Sequence, residues 1–164
     1  MQERRPAEGE RRKGGTQNQA IGRSRGGLTT KIVALVDALG NLVRFLLLPG
    51  QRHDSVGVPP LIDSVGVPPL IEGLAFGALL GDKAFDTGRP RAELDARGAA
   101  AVIPPKANRK AAISFDRAMY RWRHLIENTF AKLKEFRAIA TRYDKTDTSY
   151  AATIQLAAAI IASR

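Results

Sequence analysis

Between Asp116 and Ala138 apolar side chains recur at Met119, Trp122, Ile126, Phe130 and Leu133, at spacings of three and four. That is the period of one helix face, so the sequence predicts a single long helix across the segment with this stripe on a core. Tyr120, Arg123, Glu127 and Lys134 stand on the same stretch at offsets 0, 3, 7 and 14. At about 100° per residue they share an arc of roughly 60°, about 100° around from the stripe. Such a helix packs on one side and shows a neighbouring cleft one carboxylate among basic and hydroxyl groups. By spacing alone, Arg123 and Glu127 are also an ordinary i,i+4 ion pair of a solvated helix.

The elements around this helix follow from local pattern. Residues 1–27 are rich in Gly, Arg and Gln with almost no large apolar side chain before Ile21, which predicts a basic, flexible arm. Order is expected from Leu28. Residues 28–36 and 42–48 are apolar and β-branched around the turn-like Asp37–Asn41, which reads as a β-hairpin ended by Pro49-Gly50. DSVGVPPLI then occurs twice in succession, over Asp54–Ile62 and Asp63–Ile71. Two nine-residue copies are too few and too short for a solenoid, so the duplication predicts one longer loop. An apolar run at 76–80 leads to Gly81-Asp82-Lys83. Thr87 then offers an N-cap, Pro90 sits in the first turn, and 88–97 reads as a helix stopped by Gly98. Residues 99–103 form another apolar strand before Pro104-Pro105, completing a βαβ unit. Asp82 then falls just past a strand's carboxyl end, where α/β sheets place their chemistry. Thr146 or Asp147 caps a last helix to about Ala162, apolar nearly all round and therefore expected to be buried.

Charge and composition narrow the function. The 26 Lys+Arg against 16 Asp+Glu give a net charge of +10, unevenly spread. Residues 1–31 hold eight basic and three acidic residues, giving +5; residues 32–103 hold six and eight, giving −2; residues 104–145 hold eleven and four, giving +7. Two basic blocks around an acidic middle suggest a nucleic-acid cleft with carboxylates inside it. Cysteine is absent, which excludes a disulfide framework, a thiolate zinc site and a cysteine nucleophile. The longest apolar run, Leu156–Ala162, is far short of the ~20 residues that span a bilayer. The N-terminus lacks the apolar segment of a signal peptide, and a cytoplasmic protein is expected. His53 and His124 are isolated from each other and from metal-binding partners; Ser24, Ser55 and Ser64 have no triad context. GRSRGG (22–27) lacks the Lys-Ser/Thr of a phosphate-binding loop.

Tyr120-x2-Arg123-x3-Glu127-x6-Lys134 resembles, at every position, the signature of bacterial insertion-sequence transposases of the DDE type. RWRHLIENTFAKLKEFRAIATRYDKT (121–146), GRSRGGLTTKI and VDALGN within 22–41, GQRHDS (50–55) and GDKAFD (81–86) are similar to that family as well. The resemblance covers about residues 13–164. It implies an α/β fold of RNase H type, with a mixed sheet flanked by helices. It also implies DNA transposition by two-metal cleavage and strand transfer, with three carboxylates holding two Mg²⁺ (or Mn²⁺) ions. Carried over position by position, Asp82 is the second Asp and Glu127 the catalytic Glu, both metal ligands. Arg123 and Lys134 would contact DNA phosphates or a strand end, and Tyr120 would help position it. The basic segment with Lys106, Arg109 and Lys110 is expected to bind DNA too. The expected partner is double-stranded DNA, at the element's terminal inverted repeats and target site.

One departure follows. The family's first catalytic Asp lies on a strand upstream of the Gly-Arg-rich segment, whereas Met1–Arg12 contains no Asp and no strand pattern. Asp37 sits at the hairpin turn and matches a different family position. The expectation is therefore a partial catalytic domain over 28–164, lacking the first strand and first metal ligand, as in a truncated or frame-split copy. It would work alone or with an upstream-frame fragment, with a homodimer among the expected assemblies, or persist as a catalytically dead remnant that only binds DNA through its basic blocks. A basic structural nucleic-acid-binding protein with no enzymatic ancestry is the third reading, and the spaced signature counts against it.

Overall fold

The computed structural model describes residues 19–24, 27–50, 70–111 and 113–164. The hairpin forms where the pattern places it. Strand β2 (Gly27–Val36) pairs antiparallel with β3 (Leu42–Pro49), with a register shift at Leu35/Val36. Asp37 closes the turn: its carboxylate accepts from the backbone N–H of Leu39 and Asn41 and from the Asn41 side chain. At the other end, Gly50 donates its N–H to the Thr29 carbonyl at 3.0 Å. A Cβ on Gly50 would fall 2.7 Å from that carbonyl oxygen, so only glycine lets the strands close there.

Ordered structure begins before Leu28. A short strand β1 (Gly22–Ser24) pairs antiparallel with Gly27–Thr29 of β2, and Ala20 is buried. What holds Ala20 lies far away in sequence: its N–H donates to Asp147 at 2.7 Å, and Arg142 donates to its carbonyl at 3.0 Å. Composition places the arm's boundary too late because these anchors sit beyond any local pattern. The remainder of the expected arm, His53 and nearly all of the duplicated segment lie outside the described residues.

The βαβ unit is present. Strand β4 (Ala78–Leu80) and β5 (Ala100–Val102) are parallel and joined through helix α1 (Gly88–Ala96). Gly98, at φ +67°, turns the chain out of α1 while Ala99 donates back to the Leu94 carbonyl. Period-two alternation in the hairpin divides the interior. Val33, Leu46 and Leu48 pack with Leu70 on one face, and Leu35 joins them to the cluster of Ile71, Leu94 and Ile103 around α1. Ile32, Phe45 and Leu47 face the C-terminal helices on the other.

The C-terminal helices depart from the single rod expected over Asp116–Ala138. Helical backbone runs continuously through α2 (Arg117–Tyr120), a tighter 3₁₀ turn at Arg121–Arg123 and α3 (His124–Glu135), and the path breaks at Phe136 before α4 (Arg137–Thr141). Asp116 caps α2 by accepting from Met119 N–H. The break at Phe136, where ψ is 104°, lets its ring join the core of Leu133, Ile139, Tyr150 and Ile154. Only the lower half of the apolar stripe is buried: Leu133 is enclosed, whereas Met119 and Trp122 are exposed. Helix α5 (Asp147–Ala162) is capped by the Thr146 hydroxyl, which accepts from Ser149 N–H. It buries Tyr150, Ile154 and Ala157 but leaves Leu156 and Ile160 exposed, so its expected full burial is corrected to one face. The α/β class holds as a three-stranded sheet, β1-β2-β3, and a separate two-stranded one, β4-β5.

Candidate active site

Asp82 follows β4 and precedes the short 3₁₀ turn Lys83–Phe85, where its backbone carbonyl accepts from Phe85 N–H, which places the residue at the strand's carboxyl end. Glu127 stands in the first turn of α3. That helix is held over the hairpin by Thr129, a buried hydroxyl that donates to the Gly40 carbonyl at 2.6 Å. The two carboxylates, 45 residues apart in sequence, meet at one guanidinium. Arg123 NH1 lies 3.4 Å from Asp82 Oδ2, and its NH2 donates to Glu127 Oε1. Asp82 and Glu127 remain 51% and 59% exposed, so both are open to a ligand.

Tyr120 completes the cluster. The Arg123 guanidinium sits 5.8 Å from its ring centroid, and Phe115 meets that ring edge-on at 5.5 Å. Burial pushes the Tyr120 phenol up, Asp82 and Glu127 push it further, and Arg123 pulls it partly back. Lys134 is not brought to this cluster. It is exposed in the last turn of α3, seven residues beyond Glu127 and about 10 Å further along the helix.

An open groove of about 1630 Å³ runs from Asp82, Arg123 and Glu127 between β2, β4 and the α2–α3 segment. Leu35, Phe76, Leu79, Met119, Trp122 and Ile126 give it an apolar lining, and Lys106 borders it. This is where the upper half of the apolar stripe points, which explains its exposure.

The basic segment after β5 divides. Lys110 is exposed, but Arg109 is engaged within the protein: its Nε and NH2 both donate to Asp86 at 2.8 Å. Asp86 also accepts from Arg91 Nε at 2.6 Å and from the Lys106 N–H at 2.7 Å, and its side chain is wholly buried. Burial alone would push this carboxyl up, but the hydrogen bonds from Arg109, Lys106 N–H and Arg91 outweigh it and hold it far below the usual carboxylate range. Arg109, expected on DNA, is held here by the buried Asp86 and fastens the loop. Asp86 has no role that the sequence announces. Its only signal is an acid between strand and helix with two arginines downstream, a pattern that does not reveal burial. His124 lies on the surface with Nδ1 2.8 Å from the Arg121 carbonyl and serves the helix start.

The family described as "Transposase DDE domain" matches the chain over residues 4–162. The chain belongs to the DDE transposase family. It is also 33% identical over 135 residues to a protein named as a putative transposase for insertion sequence element IS6501 in Brucella ovis, an alignment that spans 82% of this chain and 98% of that protein. No solved structure matches. DDE transposases carry out DNA transposition through metal-dependent cleavage and transfer of DNA strands, and that is the function of this domain. In this transposase no described helix is long and apolar enough to cross a membrane.

The donor set does not fit a complete metal centre of that family. Among the described residues no group of three or more His, Cys, Asp or Glu is placed to hold a metal ion. Asp82 and Glu127 supply two hard oxygen donors, and a guanidinium lies between them.

Proposed function

We propose that this chain is the catalytic part of an insertion-sequence transposase in which Asp82 and Glu127 are two of three metal-ligating carboxylates. In this reading the chain holds DNA by itself and cuts it only when a third carboxylate is supplied. The observation that carries the assignment is the meeting of Asp82 and Glu127 at Arg123, at the mouth of the groove. Nothing in hairpin or helix packing requires two exposed carboxylates to converge there. Two divalent ions, Mg²⁺ or Mn²⁺, bind such a centre once three carboxylates are assembled.

Tyr120 and Arg123 are proposed to contact the strand end, with Arg123 exchanging its carboxylates for phosphate. Lys106, Lys110 and Lys134 are proposed to bind the duplex backbone at the element's inverted repeats and target. The protein is then a cytoplasmic, nucleoid-associated one in a bacterial cell. A remnant that only binds DNA is the second reading, favoured by the want of a third ligand among the described residues.

The test is cleavage of a duplex bearing the element's terminal inverted repeat, with Mg²⁺ or Mn²⁺. The expected result is DNA retention without cleavage by the chain alone, and cleavage once an upstream-frame fragment with an acidic strand is added. That cleavage should be abolished by D82N and by E127Q. Cleavage untouched by either substitution would overturn the assignment. DNA retention with no cleavage under either condition would establish the remnant.

A further inference from the structure

We propose that the turn Lys106–Arg109 is a rigid phosphate grip on the groove, with Asn108 its second contact and buried Asp86 the residue that positions it. This rests on the proposed function, which puts Lys106 on the DNA backbone.

The connection after β5 is short and tied down along its length. Arg91 NH2 donates to the Ile103 carbonyl at 2.8 Å, just past the strand. Arg109 N–H donates to the Lys106 carbonyl at 3.0 Å, which closes a β-turn with Ala107 and Asn108 at its tip. One carboxylate then holds both ends of that turn. Asp86 accepts from the Lys106 N–H at 2.7 Å and from two N–H groups of the Arg109 guanidinium at 2.8 Å.

A buried ion cluster is a poor way to gain stability. Desolvation of the charges offsets much of their attraction, and apolar side chains of similar volume often hold a structure as well or better. What a fully satisfied polar network adds is one defined geometry. Here a wholly buried aspartate and two arginines fix a turn whose tip stands in solvent. An exposed tip gains nothing in packing from being held so firmly. A ligand does, because a contact fixed beforehand loses less freedom on binding.

Place and chemistry name that ligand. Strands β4 and β5 are parallel, so their carboxyl ends lie on one side. Asp82 follows β4, the turn follows β5, and Asp82, Lys106, Ala107 and Asn108 line the same groove. Neither the Lys106 ammonium nor the Asn108 amide has a partner among the described residues. A cation beside a neutral N–H donor suits a phosphate oxygen, the group that DNA repeats along its backbone. The basic pattern of Lys106, Arg109 and Lys110 passes over Asn108 because that side chain is uncharged.

The experiment uses the full chain and a short labelled duplex without metal, so that binding is read apart from cleavage. Anisotropy is followed over a range of KCl concentrations. K106A should weaken binding and lower the slope of log K against log salt by about 0.9, the share of one phosphate contact. N108A should weaken it about tenfold with the slope unchanged, because a neutral donor displaces no counterion. D86N decides the positioning role. It removes a negative charge, so on charge alone DNA should bind more tightly. With the turn released, binding should instead weaken by as much as in K106A and N108A together, with the slope lowered as in K106A. Adding K106A to D86N should then change little, whereas adding K134A should weaken binding as much as it does in the parent. R109K loosens one end of the turn and keeps the charge. It should shift affinity the same way by less, and it carries the test if D86N does not fold.

Tighter or unchanged binding by D86N, or by R109K in its place, would overturn the positioning role; a purely structural Asp86 gives that result. Unaltered affinity in N108A would remove its contact, and a loss confined to one DNA sequence would move it to a base edge; either overturns the grip. If K106A and N108A both bind like the parent, DNA does not cross the turn. The proposal then fails while Asp82 and Glu127, tested by cleavage, stand. If the parent retains no DNA at all, the proposed function fails with it.

Discussion

Asp82 and Asp86 lie four residues apart in one hexapeptide, GDKAFD, yet they live in opposite environments. Asp86 is wholly buried and accepts from Arg91, Arg109 and the Lys106 N–H. Asp82 is half exposed, and its described side-chain partner is Arg123, at 3.4 Å and shared with Glu127. A carboxylate surrounded by donors has no lone pairs left for a ligand and does structural work. One held loosely beside a second carboxylate keeps its oxygens available. The 3₁₀ turn Lys83–Phe85 makes this division, sending one Asp inward to α1 and the loop after β5 and leaving the other at the groove mouth.

The largest expected effect separates the two residues on stability. Removing Asp86 leaves Arg91 and Arg109 facing each other with their anion gone, so D86A should cost about 3–5 kcal/mol in denaturant unfolding. D82A should stay within about 0.5 kcal/mol of the parent, as exposed positions usually do. Equal losses would break the comparison. Its acid counterpart follows from the direction of the Asp86 shift. The folded carboxyl titrates well below its unfolded value, so its contribution is fully present above the ordinary carboxylate range. It is lost as pH falls below about 4. Stability should therefore hold between pH 7 and 5 and drop in acid, and D86N should flatten that drop.

The distinction between these residues is not legible in the sequence, whereas much around them is. The hairpin, the βαβ unit and the Thr146 cap rest on local alternation and capping residues, and they stand close to where the pattern puts them. The broken helix is hidden because Phe136 leaves the helical path for a core contributed by α5. The start of order is hidden because Ala20 is anchored by Arg142 and Asp147 from the far end of the chain. Arg142 holds a left-handed backbone, φ +47°, while its guanidinium also reaches Asp147 and the Tyr150 ring. No spacing rule announces such a residue. Asp82 and Glu127 are named through resemblance, and their meeting in space is a tertiary fact that no periodicity contains.

A smaller effect comes from exchanging the arginines. Arg109 grips Asp86 with two N–H groups in a fixed fork, which a lysine does not reproduce. R109K should lower the melting temperature measurably, though by less than D86A. R123K should leave it within error, because Arg123 bridges exposed carboxylates in solvent. If R123K proves the more damaging, the groove mouth is a structural clamp and the contrast between the two aspartates collapses.

The smallest effect is the sharpest test of what Arg123 does. Arg123 and Glu127 form an i,i+4 pair with both side chains partly in water. Their coupling in a double-mutant cycle of R123A and E127Q should be only about 0.3–0.5 kcal/mol, falling as salt is raised. A weak bond is what a site residue needs if it is to release its carboxylates to another cation. A coupling of several kcal/mol, insensitive to salt, would mean that Arg123 is locked in place, and Asp82 and Glu127 would then be tied up within the protein just like Asp86. A small, screened coupling keeps the two carboxylates exchangeable, and leaves the groove mouth as the place where one more acidic group would change the chemistry most.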